Sequence, residues 1–88
     1  MTWRIERVYA QGRTILRLSG RIQSESLTEL RSEIERPEPG LALDLKEVTL
    51  VDVGVVRFLL GCEQGGIELL HCPPFIRQWM IRQRPHQK

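Results

Sequence analysis

The chain has 88 residues, of which 41% are hydrophobic and 27% charged, and its formal net charge is +2. That composition excludes a disordered chain, the length excludes more than one small core, and no apolar run approaches the roughly 18 residues of a membrane-spanning helix. Eleven of the thirteen basic residues are Arg, but no aromatic platform or recognition motif accompanies them, so nucleic acid is not an expected partner.

Trp3, Ile5 and Val8 alternate approximately with Arg4, Glu6 and Arg7, and residues 15–18 form a second apolar run after Gln11-Gly12-Arg13. This predicts two antiparallel strands joined by a short glycine turn, the second ending at Gly20. Over 24–36, Leu27, Leu30 and Ile34 recur at helical spacing among Glu25, Glu29, Arg31, Glu33 and Glu35. An amphipathic helix is expected there, with either Ser24 or Ser26 as N-cap and a capping box between Ser26 and Glu29. Pro37, Pro39 and Gly40 stop it. Leu41, Leu43 and Leu45 then share one face of a strand with Ala42 on the other, so both faces are expected to be covered.

Val48, Leu50 and Val51 continue the apolar material, and Val55, Val56, Leu59 and Leu60 recur at helical spacing until Gly65-Gly66. Residues 67–70 read as a last strand. Pro73 or Pro74 opens a final helix, with Phe75, Ile76, Trp79 and Met80 as its buried stripe. Alternating strands and helices imply right-handed crossovers. The expected fold is a single α/β domain: a mostly parallel four-stranded sheet, an antiparallel N-terminal edge strand and three or more helices. Residues 1–82 make that domain and 83–88 a basic C-terminal tail, because Arg77, Arg82, Arg84 and Lys88 fall in the last dozen residues with no acid among them, and 85–88 are read as a frayed end.

Chemistry is expected where 41–51 runs into the next helix, since Asp52 followed by Val53-Gly54 aims backbone N–H groups out of the loop. Asp52 is predicted to cap that helix. Asp44, at a strand end, reads as a loop-ordering acceptor of backbone N–H groups. His71, Cys72 and Cys62 form no zinc set and no nucleophile with its base at a recognisable spacing, so no metal, cofactor or catalytic residue is expected. There is no phosphate loop and no H-E-x-x-H motif. A pocket lined jointly by Asp44, Asp52 and His71 would be the sign of an enzyme. The first residues lack the apolar core of a signal peptide, and two reduced, mostly buried cysteines suit a cytoplasmic location.

The segments LRLSGRI at 16–22, LALDLKEVTLVD at 41–52, VVRFLL at 55–60 and IELLHCPPFIRQWM at 67–80 together resemble the STAS family. That is the fold of bacterial anti-sigma factor antagonists and of the cytoplasmic domains of sulfate transporters. A typical antagonist centre reads V-T-F-I-D-S-S-G-L-R, and its second serine is phosphorylated by a kinase that is itself the anti-sigma factor. Laid without a gap, Val48, Thr49, Leu50, Val51 and Asp52 correspond to the first five letters, Val53 and Gly54 fall on the two serines, and Arg57 matches the arginine. Gln23 stands where the family often has an acid.

The resemblance implies a non-enzymatic protein-interaction module of bacterial signalling and transcription regulation that cannot be phosphorylated at the usual position, Gly54. Its implied partner-binding residues are Asp52, Val53, Gly54, Val55 and Arg57. By the same resemblance Asp44 reads equally as a functional carboxylate. The implied partners are a kinase-like anti-sigma factor or another STAS chain, a homodimer included. The alternative is a stand-alone STAS subunit of a membrane lipid-transport complex, docked on a transporter ATPase, with no direct membrane insertion. Switching moved to Thr49, Ser19 or Ser24 would appear as phosphate incorporation there.

Overall fold

Strand β1 (Trp3–Ala10) folds straight back on β2 (Arg13–Ile22) through two residues of positive φ, Gln11 at 55° and Gly12 at 76°. That primed turn has the twist of the strands it joins. The computed structural model describes residues 3–36 and 40–83; the helix stop expected at Pro37 and Pro39, and residues 84–88 of the basic tail, lie outside them. Strand β3 (Ala42–Val51) adds parallel to β2, and β4 (Glu68–Leu70) parallel to β3, giving the order β1-β2-β3-β4. This is the predicted mixed sheet with its antiparallel N-terminal edge.

Because β2, β3 and β4 neighbour each other in chain order, two right-handed crossovers advance in one direction and place both connecting helices on one side of the sheet. Those helices are α1 (Leu27–Ile34) and α2 (Val53–Gln64), and α3 (Pro74–Gln83) joins them. One cluster results: Leu16, Leu18, Leu43 and Leu45 from the sheet meet Leu30, Val56, Leu59, Ile76 and Met80 from the helices, each at most 1% exposed. The expectation that both faces of β3 are covered is corrected. Ala42 is buried between Ile15 and Glu68 of the neighbouring strands, but along the same face Asp44 is half-buried and Lys46 exposed.

Strand β3 also departs from simple alternation. Its pairing with β2 shifts between Arg17↔Asp44 and Ser19↔Glu47, and again between Gly20↔Val48 and Arg21↔Leu50, with one extra β3 residue each time. Two bulges return Val48 and Val51 to the core and turn Leu50 outward, 40% exposed. Gly20, at φ 90°, marks the second shift and does not end β2, which continues to Ile22.

The ends of the helices follow local chemistry, with one surprise. Residues 24–26 form a 3-10 turn before α1, and Ser26 is itself helical with no side-chain cap bond, so neither serine caps α1 and the capping box is not formed. Helix α2 closes as anticipated: Gly66, at φ 96°, donates to Glu63 C=O (3.1 Å), and Ile67 N–H donates to Cys62 C=O (2.9 Å). Helix α3 starts at Pro74, and the Pro73 carbonyl accepts from the N–H groups of Ile76 and Arg77. Phe75 does not belong to the buried stripe. It is 47% exposed, because it lies about 100° around the helix from Ile76, which with Met80 points into the core.

Candidate functional site

The tip is built where β2 and β3 both end and α2 begins. Asp52 has extended backbone, its Oδ1 accepts the N–H of Val55 (3.0 Å), and its carbonyl accepts that of Val56 (3.1 Å); it is the N-cap that its residue type predicts. The same carboxylate also binds the chain leaving β2. Ser24 N–H donates to Oδ2 (2.9 Å), and the Ser24 hydroxyl lies 3.0 and 3.1 Å from the two carboxylate oxygens. Burial pushes the Asp52 carboxyl up, but the N–H groups of Ser24 and Val55, the Ser24 hydroxyl and the N–H of Gly54 outweigh it and hold the carboxyl below its usual value. It is therefore ionised at neutral pH.

Ser24 also explains the glycine. A Cβ on Gly54 would collide with Ser24 Oγ and stand 3.5 Å from Asp52 Oδ1. The serine hydroxyl thus fills the space into which a side chain at 54 would project. Sequence reasoning missed this tie, because Ser24 and Asp52 are 28 residues apart and Ser24 looks like a helix cap.

The other residues named for this loop divide by helical phase. Val53 is 39% exposed beside Leu50, Gly54 is half-buried, and Arg57 is exposed with its Nε donating to Gln83 Oε1 (3.3 Å). Val55 is different: at 1% exposure its side chain belongs to the core, and it reaches the tip only through its N–H. Its four-residue spacing from Leu59 carried that signal. Behind the tip, Arg31 lies 5.2 Å from the centre of the Phe58 ring and links α1 to α2, while Arg77 and Glu63 (3.1 Å) link α3 to α2.

A second polar region, a hollow of about 400 Å³, lies on the sheet face opposite the helices. Arg4, Arg17 and Lys46 alternate there with Glu6, Asp44 and Glu47, so its charges balance. Asp44 is not at a strand end but inside β3, where its Oδ1 accepts the N–H of Lys46 (3.0 Å) and so orders the first bulge. The hollow includes His71 but not Asp52, which is committed to Ser24 and the cap. The three-residue constellation that would signal an enzyme is not assembled.

Both thiols lie against the core, Cys62 buried and Cys72 half-buried. Burial pushes Cys62 up to about 11 against the pull of Arg31, and burial likewise raises Cys72. Among the described residues no three or more His, Cys, Asp and Glu side chains are grouped to hold a metal ion, and no helix is long and apolar enough to cross a membrane. No protein-family model and no curated protein matches the chain.

Proposed function

We propose that this chain is a non-enzymatic protein-interaction module of bacterial signalling, acting in the cytoplasm and resembling a STAS anti-sigma factor antagonist with glycine at the usual acceptor position. The observation that carries this reading is the tip: Leu50 and Val53 stay exposed at 40% and 39% beside a cap held fixed by Ser24 and Asp52. A preorganised loop with apolar shoulders and an Arg at its rim loses little entropy on docking a protein. With no hydroxyl at 54, the module acts by occupancy alone at that position.

The proposed partner is a kinase-like anti-sigma factor. Calorimetric titration of such a kinase from the same genome is expected to show binding that Val53→Arg weakens roughly tenfold or more, by burying an unpaired charge. Equal affinities for the two proteins would remove this loop from the interface.

A further inference from the structure

We infer that the outer edge of β1 pairs with β1 of a second copy of this chain, antiparallel and centred on Ile5. The two edges of the sheet are unlike. Strand β4 has three residues and runs into His71, at φ 54°, and then Cys72-Pro73-Pro74, so it offers little ladder to an incoming strand. Strand β1 has eight residues, with no proline, no glycine and no register shift against β2. Among the described residues no strand pairs with its outer side. Edges of such length are ordinarily blunted by a bulge, a proline or an inward charge; β1 has the last of these in Arg7, whose guanidinium turns toward the helices and is bound to Glu33 of α1. Here the charges carry both signs, which suits self-pairing.

Backbone geometry decides which groups face outward. Ala10 and Arg13 flank the two-residue turn and so exchange hydrogen bonds; bonded pairs then alternate, which turns Val8, Glu6 and Arg4 toward β2 and Ile5 and Trp3 toward the open edge. With Ile5 on a two-fold axis, the two Ile5 residues exchange a pair of N–H···O=C bonds. Arg4 of each copy then stands opposite Glu6 of the other in the closer, non-hydrogen-bonded pairs, where Cα atoms are about 4.5 Å apart. Moving the axis to Arg4, Glu6 or Arg7 sets like charges face to face, and moving it to Val8 pairs no charges at all. Only the Ile5 register is complementary. Arg4 and Glu6 are exposed, and the contact of Glu6 with Arg17 inside its own chain is a long 3.9 Å. Half-buried Trp3 and Ile5 would lose further contact with water.

The test is light scattering of size-fractionated protein from roughly 1 µM to 1 mM, with folding checked by circular dichroism. The wild-type chain is expected to reach twice its 10.3 kDa mass. Arg4→Glu opposes Glu to Glu in the pair and Glu6→Arg opposes Arg to Arg, so each variant alone is expected to dimerise at least roughly tenfold more weakly. Mixed in equal amounts, they restore complementary pairs and are expected to form a heterodimer. A monomeric wild type at 1 mM, undiminished association of either variant, or a mixture that stays monomeric would each overturn the proposal.

Discussion

Gly54 and Ser24 compete for one small volume, and the competition is measurable. Adding a methyl group with Gly54→Ala forces the Ser24 hydroxyl away from the ionised Asp52, at a cost of about 1.5–3 kcal/mol for hydrogen bonding to a charged group, which exceeds what replacing a helical glycine returns. In a Ser24→Ala background the obstacle is gone, and the same change should stabilise by about 0.5–1 kcal/mol, since Ala outranks Gly inside a helix. Chemical denaturation of the four proteins checks this change of sign. Asp52 makes a separate prediction through pH. Its folded pKa is depressed, so its contribution is complete above the unfolded Asp value of about 3.9 and is lost as pH falls from there through the lower folded value. Stability measured down the acid limb should therefore fall less steeply in Asp52→Asn than in the wild type. Part of the slope remains, because Glu33 is also held low, chiefly by its hydrogen bond from Arg7.

At the level of elements, β3 shows how a strand can hide its register from its own sequence. Hydrophobic periodicity correctly marks 41–45 as strand, but strict alternation cannot carry the strand on to Val51 or tell which of Val48, Leu50 and Val51 face inward once two bulges intervene. The bulges depend on pairing with β2, a non-local event. Leu45→Ala is expected to cost about 2–5 kcal/mol, whereas Leu50→Ala should change stability by about 0.5 kcal/mol or less, as urea denaturation of each variant would report. In helix α3 the expected buried stripe wrongly includes Phe75, although the four-residue spacing of Ile76 and Met80, a local signal, leaves it outside. The ends of α2 were legible because Asp52 and Gly65-Gly66 act on their immediate neighbours, so their chemistry is local. Ser24 was not, because its partner arrives only when β2 and β3 lie side by side.

For the whole molecule, chain order alone explains the asymmetry of the sheet. Sequential parallel strands send both crossovers to one side, which gathers the core there and leaves a charge-balanced face on the other. The strand and helix order could be read from period and turn residues, whereas the bare face follows from strand order, which periodicity does not encode. A domain built this way presents the tip at the end of the strands and, away from it, a polar hollow that shares Arg4 and Glu6 with the outer edge of β1. The functional proposal assigns the protein partner to the tip. Amide NMR spectra recorded while a purified kinase-like anti-sigma factor is titrated into the isotope-labelled chain test that assignment most directly. The account predicts that the signals of Leu50, Val53, Gly54 and Arg57 shift or broaden first while those of Lys46 and His71 hold still; changes confined to Lys46, His71 and the hollow they line would contradict it.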